Sequence, residues 1–417
     1  MKLLIKGARI CDRNSPFHGK VKDVLIDRGR IGIAAEGLKT DKVINGKGMF
    51  LTPGWVDMWC WLADPGFEHK ETLESGLSAA AAGGFTGIAL LPNNQPVTQS
   101  KNDIISLKNA AKGVTEIFPL AAVTRETNGT ELTEMIDLHS AGAVGFTDGF
   151  NPIWHSDILL KSLQYLQKFD GILINRPEDR HLTQFATMHE GIQSTMLGMK
   201  GMPELAESLM ISRDIDLLRY AGGKIHFSTI SAGESVALIR QAKKEGLNVT
   251  CDMAGFQTEF LDEDLNDFDT NLKVNPPFRN KTNRRALIRG LKDNTVDVIV
   301  SAHCPQDEES KKLEFDLADF GLISLQTLGA NLVSLSEEIP LEQLLDKVSV
   351  RPREILGMPA AVIDDGREAN LTLFDPNAEW EFNGSSNRSN SRNSPYIGKK
   401  LKGKAVAVIR GTTTELL

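Results

Sequence analysis

Residues 51–66 read Leu51-Thr52-Pro53-Gly54-Trp55-Val56-Asp57-Met58-Trp59-Cys60-Trp61-Leu62-Ala63-Asp64-Pro65-Gly66. A Pro-Gly turn runs into a short apolar strand, and a second Pro-Gly turn ends it. Side chains of a strand alternate between faces, so Asp57, Trp59 and Trp61 are expected on one face and Met58, Cys60 and Leu62 on the other. Two indoles then sit side by side near the strand's end. On the residues alone this is a half-buried strand with aromatic core packing.

Outward from this stretch, residues 52–360 alternate apolar strands with helical segments. Residues 85–91 are a near-continuous apolar run, the pattern of a parallel strand buried on both faces. Ahead of them an Ala- and Leu-rich helix over 72–82 stops at Gly83-Gly84. Further strands are predicted at 142–146, 172–175, 224–228, 249–252 and 296–301. Helices are predicted at 158–168, 205–220, 235–245 and 284–291. Repeated βα units over this length favour a (β/α)8 TIM barrel over an open doubly wound sheet, and no phosphate-binding glycine fingerprint follows a strand. Residues 1–51 and 361–417 carry short strands punctuated by glycine, too few to make a core alone at either end. The expected organisation is a barrel over 52–360 and a small β-sandwich domain built from both termini. The polar stretch 385–395 reads as a mobile surface loop.

Composition excludes several classes. The chain of 417 residues is 41% hydrophobic and 24% charged, with a formal net charge of −8 and scattered basic residues. That balance argues against nucleic acid or an anionic membrane as the main partner. Cys11, Cys60, Cys251 and Cys304 form no CxxC pair and read as reduced, buried thiols. The first residues hold too short an apolar run for a signal peptide, and no stretch reaches the ~20 apolar residues of a membrane span. The expectation is a soluble cytoplasmic protein.

Several motifs, in order, resemble the type I dihydroorotases of the amidohydrolase superfamily. The opening stretch matches a family frame PGxxDxHxHxRxPG. Ala80-Ala81-Ala82-Gly83-Gly84-Phe85-Thr86 with Leu91-Pro92-Asn93 is similar to AAxGGxT…MPN, and Lys273-Val274-Asn275-Pro276-Pro277-Phe278-Arg279 to KxNPPLR. Ile225-His226-Phe227-Ser228-Thr229 resembles HxST. Gly398-Lys399-Lys400-Leu401-Lys402-Gly403 resembles the C-terminal Gly-x-x-Leu-x-Gly segment. The resemblance covers essentially the whole chain and implies the barrel with its terminal β domain. It also implies a zinc-dependent opening of a cyclic amide, dihydroorotate to N-carbamoyl-aspartate, with an aspartate shuttling the proton.

Position by position, the residues for that chemistry are missing. Trp59 and Trp61 stand where the family has two metal-binding histidines, and an indole N–H cannot ligate a metal. Ala63 replaces the arginine that would clamp a substrate carboxylate. Thr147-Asp148-Gly149 keeps one of two family carboxylates, as Asp148. Arg176, in Asn175-Arg176-Pro177-Glu178-Asp179, replaces a third histidine with a permanent cation. His226 is retained and reads as a hydrogen-bonded histidine. In Ser301-Ala302-His303-Cys304-Pro305-Gln306 the catalytic aspartate has become Ala302 and a last histidine Gln306, while His303 reads as structural. Asn93, Asn275 and Arg279 remain from the substrate pocket.

A transition-metal site needs three or four well-placed ligands. No catalytic residue and no metal are expected, and the indoles should fill the vacated space while Arg176 pairs with Asp148, or with Glu178 and Asp179. The first reading is an inactive dihydroorotase homologue serving as a scaffold or regulatory partner in pyrimidine biosynthesis, with aspartate carbamoyltransferase as the partner the resemblance suggests first. The second is an active dihydroorotase or related cyclic-amide hydrolase with an unconventional metal site rebuilt from Cys60, Cys304, His69 or His155. The third is a metal-free small-molecule binding protein using Asn93, Asn275 and His226. A homodimer is implied by the resemblance.

Overall fold

The computed structural model describes residues 2–33 and 40–417; residues 34–39, in the stretch assigned to the terminal domain, lie outside the described residues. Eight parallel strands pair in chain order: Trp55–Cys60, Phe85–Leu90, Glu116–Ala121, Gly145–Phe146, Leu173–Asn175, Ile225–Phe227, Val249–Ala254 and Val298–Val300. The series closes where Cys60 bridges His303 in parallel and Trp61 N–H donates to the His303 carbonyl at 3.1 Å. Beneath this seam the Asp57 carboxylate accepts from the Ser301 N–H at 3.0 Å and from the Ser301 hydroxyl, tying the first strand to the last. Burial pushes the Asp57 carboxyl up to about 7, against the hydrogen bonds from Ser301 and Trp59. The result is the expected (β/α)8 barrel.

Its elements follow from local sequence. Every residue of Phe85–Leu90 is buried, since one face meets the barrel interior and the other the helices. The preceding helix, Leu73–Ala82, starts at Thr72, whose hydroxyl accepts from Ser75 N at 3.2 Å, and stops at Gly83. Interior side chains such as Ala89, Leu91, Ile174, Val298 and Val300 form one cluster; Ile88, Leu90, Leu173 and Ile299 join the helices in another. The third strand escaped the sequence reading because Glu116–Ala121 carries Pro119, a residue that argues against an interior strand. The helices Lys101–Ala110 and Leu341–Ile355 were also missed. The first buries only Ile104 and Leu107, and the second contains Pro352.

Strict alternation along the first strand is a correction. The pairing with Phe85–Leu90 shifts between Asp57 and Cys60, a β-bulge that places an extra residue on the first strand. Met58 therefore joins Trp59 and Trp61 in the interior cluster, while Cys60 and Leu62 lie with Trp55 in the outer one.

The terminal strands form one mixed sheet in the order Thr413–Leu416, Lys399–Arg410, Asn370–Phe382, Phe50–Pro53, Lys2–Ile10, Val21–Asp27 and Arg30–Ile33, with Lys42–Asn45 also on Lys2–Ile10. It folds over on itself: Ala369 N–H donates to Gly29 O at 2.8 Å, and a Cβ on Gly29 would lie 2.7 Å from the carbonyl carbon of Gly411. Both ends of the chain share one core there, including Ile5, Val24, Leu371 and Ile409.

The reading of 385–395 as a mobile surface loop is overturned for its second half. Ser391, Asn393 and Ser394 are buried. Asn393 donates to the carbonyls of Cys304 and Gly321 at 3.0 Å each and accepts from Gln306 N–H at 3.1 Å. Short polar side chains here satisfy backbone groups of the barrel rim, so a polar sequence is a buried one. Among the described residues no helix is long and apolar enough to cross a membrane.

The barrel and the terminal sheet meet at Gly54. A Cβ there would lie 2.1 Å from both Asn370 Oδ1 and Thr86 Oγ1, beside the buried Arg353 guanidinium that donates to Gly54 O at 3.2 Å. Gly54→Ala is expected to destabilise the protein by about 2 kcal/mol, read from denaturant unfolding; an unchanged midpoint would show that this junction yields freely.

Candidate functional site

A cavity of about 380 Å³ opens at the C-terminal ends of the barrel strands. Of the residues singled out in the sequence, Trp59, Trp61, Arg176, Asn275, Ala302 and Gln306 line it; Asn93, Asp148, His226, Ala63 and Arg279 do not. The division separates side chains facing the cavity from side chains that hold its walls.

The indoles close one side. Trp59 and Trp61 both meet the Phe150 ring edge-on, at centroid distances of 5.5 and 5.3 Å, and Trp61 also contacts Phe67 at 5.9 Å. Both are almost wholly buried. Trp61 Nε1 donates to the Asn93 carbonyl at 3.1 Å. Asn93 itself spans the rim: its amide donates to Asp148 O at 3.0 Å and its oxygen accepts from Phe150 N at 3.0 Å. It is a brace for the segment that carries Phe150.

Arg176 lies against Glu178, to which Nη2 donates. Glu178 also accepts from Thr183 Oγ1 at 2.6 Å and Asn275 Nδ2 at 3.2 Å. Burial pushes the Glu178 carboxyl up, but the Arg176 charge and these hydrogen bonds outweigh it and hold it below the ordinary value. The expected cation is thus placed, with a narrower set of partners. Asp148 is not paired with it, and Asp179 instead caps the helix Arg180–Thr183.

Asp148 is sealed among neutral donors. Oδ1 accepts from Val123 N and Thr124 N at 2.9 Å, and Oδ2 from Thr124 Oγ1 at 2.5 Å. Burial still dominates and raises its carboxyl to about 6. His226 is equally committed. Its Nδ1 lies 2.8 Å from Thr250 Oγ1 and its Nε2 2.8 Å from Asp252 Oδ2, leaving no ring nitrogen for a metal. Arg279 donates to Ser231 Oγ at 3.0 Å and Met202 O at 2.7 Å, outside the main cavity. Gln306 accepts from Lys70 at 2.5 Å and donates to Phe320 O at 2.8 Å.

Sequence reasoning missed two acids. Asp252 orients His226 and also accepts from Thr229 N at 2.6 Å; its place at the end of the seventh strand was the available signal. Glu71, fully buried, faces His303 Nε2 at 3.6 Å and accepts from Asn390 N at 3.0 Å. No local pattern marks Glu71, because its partners lie in distant segments. His303 Nδ1 accepts from Ser324 N at 3.1 Å, consistent with its structural reading.

These residues do not fit the zinc that the fold family implies. Among the described residues no group of three or more His, Cys, Asp or Glu side chains converges to hold a metal ion. Cys304 lines the cavity, but burial pushes its thiol up to about 12, so it stays protonated. Cys60 lies in the outer cluster, and His69 and His155 are not cavity residues.

Three rim residues adopt left-handed backbone: Ala63 (φ 62°), Thr229 (φ 52°) and Ala302 (φ 52°). Each costs about 1 kcal/mol for a residue with a Cβ.

The fold and rim define the class: a (β/α)8 barrel with a two-ended β domain, of the amidohydrolase kind. Its backbone is similar to that of the L-hydantoinase (dihydropyrimidinase) from Arthrobacter aurescens, with a TM-score of 0.85 and 22% identity over 100% of this chain and 97% of the other. The dihydropyrimidinase of Brevibacillus agri gives 0.84 at 20% identity, over 99% and 95%. Residues 48–235 match the family model described as dihydro-orotase-like. The chain is 39% identical to the dihydroorotase of Pelotomaculum thermopropionicum over 99% of its length and 97% of the relative's. It is 37% identical to that of Syntrophus aciditrophicus over 98% of each. The chain belongs to the dihydroorotase family.

Two outcomes follow from the buried charges. Arg176→Met strands Glu178 and is expected to lower stability by about 3 kcal/mol, with Arg176→Met/Glu178→Gln recovering most of it in thermal melts. Asp148 ionises with difficulty only in the folded state, so its stabilising contribution is full below about pH 4 and lost as pH rises through about 6. The loss amounts to about 3 kcal/mol. Asp148→Asn, whose amide reproduces the protonated carboxyl, should flatten that part of the stability–pH curve; an unaltered curve would assign the titration elsewhere.

Proposed function

We propose that this member of the dihydroorotase family is a catalytically inactive, metal-free protein of pyrimidine biosynthesis, acting in the cytoplasm as a scaffold or regulatory partner. Aspartate carbamoyltransferase is the first partner to test, and a homodimer is the expected assembly. The observation that carries this reading is the composition of the cavity: indoles, an alanine and an amide face it, and its lining carboxylate, Glu178, is tied up in an ion pair with Arg176, where ring opening needs metal-bound hydroxide and a carboxylate free to shuttle a proton. The carboxylate and imidazole that survive, Asp148 and His226, are saturated by their own hydrogen bonds away from it. The unconventional metal site gains no support, since its candidate ligands do not converge. Small-molecule binding keeps one observation in its favour, the cavity itself.

One preparation tests the reading. Elemental analysis is expected to give far less than one equivalent of zinc, and dihydroorotate to remain closed at any protein concentration. Stoichiometric metal together with turnover would overturn it. Mixed with aspartate carbamoyltransferase, the chain is expected to co-migrate on gel filtration, and separate elution of the two would remove that partner.

A further inference from the structure

The cavity's charges and unused hydrogen-bonding groups select a ligand. Arg176 and Glu178 are the charged side chains that line it among the described residues, and they are paired with each other. An anion would face Glu178 and a cation Arg176, both at low dielectric, so the site favours an uncharged guest. The pair is unevenly spent. Glu178 takes three side-chain donors, from Arg176, Thr183 and Asn275, and has little capacity left. Arg176 has five N–H groups and makes a hydrogen bond, among the described residues, to Glu178 alone. Its remaining donors ask for an acceptor. Thr229, 3% exposed, also lines the cavity, and its hydroxyl has no partner among the described residues. The side-chain oxygen of Asn275 accepts no hydrogen bond among the described residues and can take an N–H.

The walls add a shape. Trp59, Trp61 and Phe150 present aromatic surface, and Phe256 and Phe320 line the same space. A volume of about 380 Å³ is at the small end for a ligand pocket, enough for a ring with one substituent. We propose that the cavity binds an uncharged aromatic carboxamide, its flat ring against the indole wall, its carbonyl accepting from Arg176 and its N–H donating to Asn275. This rests on the metal-free reading of the same cavity.

The test uses three probes of similar size against the purified full chain: benzamide, benzoate and cyclohexanecarboxamide. Binding is followed by calorimetry on a sample whose zinc content has been measured. Benzamide, a fragment, is expected to saturate with a dissociation constant on the order of 1 mM, about tenfold tighter than either of the others. Benzoate isolates the effect of charge, and the cyclohexane that of flatness. Ala254→Leu, which adds bulk to the cavity wall and removes no polar group, is expected to abolish binding while the chain stays folded. The comparison on the unaltered chain stands even if that variant does not fold. Zinc near one equivalent would overturn the metal-free reading, and this inference with it. A zinc-free sample that binds benzoate as tightly as benzamide, or shows no saturation by about 10 mM, would overturn the ligand alone.

Discussion

Arg176 and Glu178 are nearly removed from water, and an isolated ion in such a place costs several kcal/mol. Everything around the cavity answers that constraint. Glu178 is held by Thr183 on one side and Asn275 on the other, so the fifth strand end is joined to the segment carrying the Asn-Pro-Pro run. The pair gives the barrel mouth a charge balance of its own. This rim draws it from one guanidinium and one carboxylate.

The space beside the pair is walled by aromatic area. Trp59 and Trp61 reach the Phe150 ring because a bulge in the first strand brings consecutive residues, Met58 and Trp59, into the same interior cluster. Asn93 then fixes the Phe150 segment from the end of the second strand. Substitutions at separate strand ends thus form a single packed unit.

Much of this was legible in the sequence, for stated reasons. Fully apolar runs such as Phe85–Leu90 announce a strand covered on both faces, and their alternation with helices announced the barrel. The motif order gave the family, and the residue types at Trp59, Trp61, Arg176 and Ala302 excluded ligation by chemistry alone. What was not legible depended on contacts distant in sequence. Pro119 hid a strand whose neighbours tolerate it, and Glu71 has no pattern to mark it. The segment 385–395 is polar because it hydrogen-bonds to buried backbone, a distinction that composition does not carry. Asn93 and Arg279 were assigned to the pocket by resemblance, yet Asn93 braces the Phe150 segment and Arg279 bonds outside the cavity, while His226 is the hydrogen-bonded histidine its reading expected.

Ala63 and Ala302 hold left-handed backbone in which glycine would sit without penalty. An alanine side chain extracts nothing from that conformation. The main chain at these two positions is therefore held in its strained path by the surrounding packing and not by the alanines themselves. Exchanging either alanine for glycine would relieve that strain without altering any side-chain contact across the cavity, so the conformation of the rim is imposed by what packs around it.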